Sequence, residues 1–211
     1  YFNKVNQHLI NNKNLLVKNQ KFLAISNKNH SDKFKYVFAL VQTGRAGTGL
    51  LHSLIDGHSK ISTLPSIYFS EYFDSSIWEK LTSGGWDELV DRFIRTYPVL
   101  FDASVHDPVL SMSGKMLRNI GREEGLCNVG ESMNEVLTVD RELFRSELSR
   151  LVDSQKTLDA LSFFKLVHIA YELVVYGHCD KTSLFYHIHN PNIYAQLNFI
   201  NHAPNARWIM M

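Results

Sequence analysis

The residues of this chain best placed to do chemistry are the run Gly44-Arg45-Ala46-Gly47-Thr48-Gly49, with Thr43 just before it. A Gly-rich turn between a buried strand and a helix exposes several backbone N–H groups near the positive end of the helix dipole. That makes a cradle for a phosphate or a related anion. Arg45 adds a guanidinium that can grip anion oxygens in pairs, and Thr48 adds a hydroxyl at the start of the helix.

The nucleoside-triphosphate form of such a loop reads G-x-x-x-x-G-K-S/T, with Lys on the β and γ phosphates and Ser or Thr on magnesium. Here Gln42 stands where the first Gly would be, and Thr48 and Gly49 stand where Lys and Ser or Thr would be. The charge, the metal-binding hydroxyl and one turn glycine are all missing, so a magnesium-dependent NTPase or kinase is the second reading. An anion bound without metal is the first.

The elements that must position this loop are legible on both sides of it. Residues 36–41, Tyr-Val-Phe-Ala-Leu-Val, form a continuous apolar, partly β-branched run, the pattern of a strand buried on both faces of a parallel sheet. Leu50, Leu51, Leu54 and Ile55 then recur at helical spacing until Asp56-Gly57 supplies a stop. Residues 60–64 read as a second short strand ending at Pro65, followed by an irregular aromatic-rich stretch over 68–73. Apolar residues at intervals of three and four predict helices over 87–97, 139–152 and 157–176, while 98–130 is loop-rich. Toward the end, 183–188 reads as a strand, 191–203 as a helix with Pro in its first turn, and 207–211 as another strand. Alternating strands and helices imply a parallel sheet with helices on its faces, where ligands sit beyond the carboxyl ends of the strands. Residues 43–49 fall at that edge.

The bulk properties narrow the partners. At 211 residues, nearly half of them apolar, the chain is long enough for one well-buried domain. Residues 1–35, rich in Asn and Lys with apolar clusters at helical spacing, read as a helical N-terminal extension, and 36–211 as the core domain. A formal charge of +1 with mixed signs gives no footprint for nucleic acid. Two cysteines, Cys127 and Cys179, signal neither a disulfide framework nor a structural metal, and they suit a reducing, cytoplasmic setting. No apolar run approaches the roughly 20 residues that span a bilayer.

At the loop the resemblance becomes specific. Residues 38–51, from Phe38 through Gly44-Arg45-Ala46-Gly47-Thr48-Gly49-Leu50-Leu51, followed by Leu54-Ile55-Asp56-Gly57-His58, resemble the sulfotransferase signature R-S-G-T-S/T-L-L and L-L-D-x-H-P. A second stretch, Asn198 through Ile209 with Ala203-Pro204-Asn205-Ala206, resembles that family's helix, F-P-x-A turn and the strand before its V-R-D-P motif. The resemblance, to a bacterial-type member, implies a three-layer, P-loop NTPase-like α/β fold with a central parallel sheet flanked by helices. It also implies that residues 43–49 hold the 5′-phosphosulfate of 3′-phosphoadenosine-5′-phosphosulfate, with Arg45 stabilising charge during transfer to a small-molecule, glycan or lipid acceptor. The start at Tyr1 and the end in an apolar strand suggest a fragment, incomplete at the C-terminus, that stops short of the family's 3′-phosphate-binding Arg and Ser. Three positions depart from the pattern: Ala46 for Ser, Gly49 for a hydroxyl residue, and Ser66 after Pro65 where many members place Glu. A non-catalytic binding protein that keeps the fold is the third reading.

Sulfuryl transfer also needs a base for the acceptor's proton. His187-Ile188-His189-Asn190-Pro191 ends a predicted strand at the carboxyl edge, and imidazole titrates near neutrality. His189 stands where the family places a site-lining Lys-x-Pro or Asp-Pro element and is the first candidate, with Glu71, the nearest acid after the second strand, as the alternative. His187 and His58 read as structural, and no metal is assigned. The aromatic group Tyr68, Phe69, Tyr72, Phe73, Trp78 and Trp86 reads as core or as the wall of an apolar acceptor pocket.

Overall fold

A computed structural model of the chain describes residues 30–41, 46–64, 71–97, 100–101, 139–188 and 193–211, with the backbone of 109–110, 116–117, 127–129 and 135–136. After a 3₁₀ turn at His30–Lys33 the chain enters β1 (Tyr36–Val41), and α1 (Thr48–Ile55) leads to β2 (Ile61–Ser62). Helices α2 (Ser75–Thr82) and α3 (Leu89–Thr96) follow. Two short antiparallel ladders come next, β3 (Val109–Leu110) with β4 (Met116–Leu117) and β5 (Cys127–Val129) with β6 (Glu135–Val136). The last third runs α4 (Arg141–Asp153), α5 (Ala160–Tyr176), β7 (Ser183–Ile188), α6 (Ile193–His202) and β8 (Arg207–Met210).

The main sheet has the order β2-β7-β1-β8, and each pairing is parallel. β1 and β7 run in register from Tyr36 beside Ser183 to Val41 beside Ile188. Because successive side chains leave opposite faces of a strand, this register sorts them into two sets. Ala39, Leu184, Tyr186 and Ile188 join the main core, whereas Leu40, Phe185 and His187 face the other way, toward α1. The chain is thus an α/β protein with a four-stranded parallel sheet flanked by helices.

The core is largely aromatic. Phe164 of α5 lies 5.1 Å from Tyr72, 5.5 Å from Phe73 and 5.2 Å from Tyr186 between ring centroids, and Phe199 of α6 closes the cluster against Phe73 and Tyr186. The one polar group of Tyr72 is satisfied, its hydroxyl donating to the Ala160 carbonyl at 2.8 Å. Tyr72, Phe73 and the half-buried Trp78 are therefore core residues rather than pocket wall, and Trp86 is exposed. Tyr68 and Phe69 lie outside the described residues.

The sequence reading and the structure coincide on β1 and β7. The helices predicted over 139–152 and 157–176 start later, because Asp140 and Asp159 cap them. The Asp140 carboxylate accepts from the N–H groups of Glu142 and Leu143, both at 3.0 Å, and that of Asp159 from Ser162 N–H at 2.7 Å. Helix α2, which the reading passed over, is likewise started by Asp74, which takes Ser76 N–H at 3.0 Å. The ladders β3–β4 and β5–β6 stand in the stretch read as loop-rich or just after it. Of the predicted N-terminal helical extension, 1–29 lies outside the described residues and His30–Lys33 is a 3₁₀ turn. Among the described residues no helix is long and apolar enough to cross a membrane.

Phe164 is 1% exposed and packs against the rings of Tyr72, Phe73, His168 and Tyr186, so its removal leaves a cavity that rigid neighbours cannot fill. Phe164→Ala is expected to cost about 3–5 kcal/mol in urea unfolding, and Phe164→Leu distinctly less.

Candidate functional site

The loop enters its helix through Gly47. This residue sits at the N-cap of α1 with φ 74°, a left-handed conformation that a β-carbon disfavours, and its carbonyl accepts the N–H groups of Leu50 at 3.0 Å and Leu51 at 3.2 Å. Thr48 is 3% exposed and turned inward, while Gly47 and Gly49 are exposed and Ala46 is half-buried. No acidic residue occupies the first turn of α1, so nothing there cancels the positive end of the helix. Thr43, Gly44 and Arg45 lie outside the described residues, as does His189.

Of the run read from the sequence as an anion cradle, Ala46, Gly47, Thr48 and Gly49 are described, and they stand together at the start of α1. Glu71 is exposed in the turn before α2, its carbonyl accepting Asp74 N–H at 2.9 Å. Its carboxylate is near enough to Tyr186 to help hold that phenol's pKa well above the usual value, after burial and Tyr97. His58 closes the far end of α1: its N–H donates to the Ile55 carbonyl at 3.0 Å, its Nδ1 accepts Lys60 N–H at 3.0 Å, and its carbonyl accepts from Lys181 Nζ. Its role is structural.

The sequence reading did not single out His52, which lies one helical turn beyond Thr48 on the same buried face of α1. His52 Nε2 is 3.0 Å from the Leu64 carbonyl, and its Nδ1 is 3.3 Å from His187 Nδ1. A carbonyl only accepts, so His52 Nε2 carries the hydrogen. Burial lowers the His52 pKa, against the opposing effects of Asp56 and the Leu64 carbonyl, so the ring is neutral and its Nδ1 is a lone pair. The hydrogen between the two rings then belongs to His187 Nδ1. One signal was available in advance: a polar residue four places after Thr48 must share its buried face.

A second buried polar group lies farther from the loop. Ser62 Oγ is 2.9 Å from His168 Nδ1 on α5, and Glu172, one turn further along that helix, also bonds to Ser62. A Ser, a His and a Glu in contact suggest a nucleophilic set, yet the hydroxyl is 0% exposed. Ser62 is also in register with Leu184, four residues back from the end of β7, at roughly 3.3 Å per residue. It belongs to the interior, not to the ligand edge. Burial holds the His168 imidazole down to about 3, with a smaller contribution from His52. Burial likewise pushes the Glu172 carboxyl up to about 7 despite Lys181 Nζ at 3.8 Å.

Among the described residues no three His, Cys, Asp or Glu gather in a way that would hold a metal ion. Comparison with family models, with curated proteins and with solved structures gave no match.

Two predictions follow from these environments. Gly47→Ala meets open space but keeps a φ of 74°, so it should cost about 1–2 kcal/mol, while Gly49→Ala, also in open space and without positive φ, should gain about 0.4–1 kcal/mol in urea unfolding. For Glu172 the folded pKa is raised, so its stabilising contribution is complete below the ordinary value of 4.5 and is lost as pH rises to about 7. For His168 the sense is opposite, with stability lost as pH falls from 6.5 toward about 3. The melting temperature of Glu172→Gln relative to wild type should therefore climb between pH 4.5 and 7 and level off above; a constant difference across that range contradicts the assignment.

Proposed function

We propose that this chain binds 3′-phosphoadenosine-5′-phosphosulfate on residues 43–49 and belongs to an enzyme that transfers its sulfuryl group to a hydroxyl or amine. The observation that carries the reading is the position of the run ending in Gly47-Thr48-Gly49. It joins the carboxyl end of β1, an interior strand of a parallel sheet, to a helix whose first turn bears no acid. The likeness of residues 38–58 and 198–209 to the sulfotransferase pattern, in the same order along the chain, supports the choice of donor. The three-layer, P-loop-like form of the fold is part of the same proposal.

In the reaction, an acceptor oxygen or nitrogen attacks sulfur in line with the bridging oxygen of the 5′-phosphate. The new bond to sulfur forms as the bridging S–O bond breaks, and the electron pair leaves on the phosphate oxygen, giving adenosine 3′,5′-bisphosphate. Backbone N–H groups of the loop and the Arg45 guanidinium stabilise the charge that develops there. The acceptor's proton passes to a base, for which His189 is our first choice and Glu71 our second. The pattern of the loop argues against magnesium-dependent triphosphate chemistry, since Thr48 and Gly49 replace the Lys and the hydroxyl it needs.

Titration calorimetry with adenosine 3′,5′-bisphosphate in the absence of magnesium should give saturable binding. Arg45→Ala should weaken it about 10- to 100-fold, as loss of a charge-assisted contact of about 1.5–3 kcal/mol requires. Equal affinity of both proteins removes Arg45 from the site. Binding of ATP only with magnesium, and not of the bisphosphate, overturns the donor assignment in favour of an NTPase. Bisphosphate binding without transfer to any hydroxyl or amine marks a non-catalytic relative of the fold.

A further inference from the structure

Glu172, Ser62 and His168 form a chain of two hydrogen bonds in the interior. Ser62 Oγ lies 2.9 Å from His168 Nδ1 and also bonds Glu172, which stands one turn beyond His168 on the same face of α5. Ser62 and His168 are fully buried and Glu172 nearly so. Each end of the chain carries an atom with no hydrogen-bond partner, His168 Nε2 at one end and Glu172 Oε2 at the other. Glu172 therefore meets Ser62 through Oε1. Its Oε2 faces Lys181 Nζ at 3.8 Å, too far for a hydrogen bond but close enough for attraction between charges.

The hydrogens available to the chain limit what each charge state of Glu172 allows. A hydroxyl has one hydrogen to give, a neutral imidazole has one N–H, and an ionised carboxylate only accepts. With Glu172 ionised, the Ser62 hydrogen is committed to Oε1, so the bond to the ring is made by His168 Nδ1–H and Nε2 is bare. With Glu172 protonated, the added hydrogen sits on Oε1, because on Oε2 it would point at the Lys181 ammonium. Oε1–H then donates to Ser62 Oγ, the Ser62 hydrogen turns to Nδ1, and His168 carries its own hydrogen on Nε2.

The ring is uncharged in both states, since Phe34 and Phe164 close on it edge-on at 6.0 and 4.8 Å and the titratable group that acts on it from α1 is the neutral His52. Glu172 is faced by Lys181 from the segment before β7, by Lys33 from the 3₁₀ turn and by Asp56 from the end of α1. Tyr171 on α5 and Cys179 after that helix also feel it. The two lysines favour the carboxylate and Asp56 opposes it, while Tyr171 and Cys179, both pushed up by burial, keep their protons. Glu172, pushed up by burial to about 7, is the group of this set that changes charge near neutrality.

We infer that this chain is a proton-linked switch, in which loss of one proton reverses both hydrogen bonds and moves the His168 hydrogen from Nε2 to Nδ1 while the charge appears on Glu172. The atoms balance: the hydrogen between Glu172 and Ser62 passes to the hydroxyl, the hydroxyl's own passes to Nδ1, and the one on Nε2 is released. The ion pair with Lys181 forms in the same step. Because Lys181 Nζ also donates to the His58 carbonyl, the charge on Glu172 ties α5 to the turn that ends α1. The switch operates independently of what the loop binds.

The tautomer is read from the ring-nitrogen NMR shifts of isotope-labelled protein, with the His168 signals assigned from a His168→Asn variant, and the charge on Glu172 from the shift of its carboxyl carbon. In wild type the protonated ring nitrogen should change from Nε2 to Nδ1 with the same midpoint as the Glu172 carboxyl, at about 7. In Ser62→Ala, verified as folded by its melting transition, the carboxyl should still titrate while the ring keeps one tautomer throughout. In Glu172→Gln the ring should show no change with pH. A single wild-type tautomer through the Glu172 titration, a ring protonated on both nitrogens, or a Glu172 carboxyl that keeps one charge across the neutral range overturns the switch. A tautomer change that survives in either variant overturns it as well, and the wild-type titration alone decides the matter if a variant does not fold.

Discussion

The parallel ladder between β1 and β7 is the constraint from which the rest of the molecule follows. Six residues of each strand pair in register, and because side chains alternate across a strand, that single alignment decides which residues meet the aromatic core and which meet α1. A slip of one residue would turn Tyr186 and Ile188 toward α1 and bring His187 into the aromatic layer with Phe164 and Phe199. The packing of Tyr72, Phe73, Phe164 and Phe199 against Tyr186 therefore protects more than the core. It also keeps His187 on the side where His52 can reach it.

Buried polar groups are the other half of the design. The interior holds His52 with His187, and Ser62 with His168 and Glu172, all close to β7 or to the strand beside it. Leaving such groups without partners would cost more than their hydrogen bonds return, so they occur in bonded sets, although His168 Nε2 and Glu172 Oε2 are left without a hydrogen-bond partner. Glu172 and His168 stay neutral over much of the ordinary pH range by shifting their affinities for protons in opposite directions, which avoids a bare charge in the core. The His52 pair avoids it by fixing tautomers. The two sets differ in location: one lies within the sheet's body, the other between α1, Leu64 and the carboxyl-terminal half of β7.

Surface apolar residues follow a pattern of their own. Leu50 and Leu54 project from α1, and Ile193, Tyr194 and Leu197 from α6, while β8 at the edge of the sheet leaves Met210 exposed. The faces these helices turn inward are shorter: Thr48 and His52 in α1, Ala195 and Phe199 in α6. The inner face of α1 is thus polar where that of a typical sheet-packing helix is aliphatic, which is the local reason a histidine pair can exist there.

Strong local patterns were enough to read β1, β7 and the strand-loop-helix order of residues 36–55 from the sequence, because a continuous apolar run bounded by Gly-rich turns has few alternatives to a buried parallel strand. The starts of α4 and α5 were misjudged by two or three residues, since Asp140 and Asp159 act as caps only when the following N–H groups are free to reach them. Helix α2 was missed because Leu81 is its one buried residue, so its sequence shows little apolar periodicity. The Gly-rich turn that starts α1 at Gly47 and Thr48 was legible from residue types alone. What only the tertiary structure decided is which distant polar residues meet: His52 and His187 are 135 positions apart, and Ser62 and His168 are 106 apart. Sequence carries the propensity of each segment, but contacts of that range are set by strand order and register, which are properties of the packed sheet and not of any one segment.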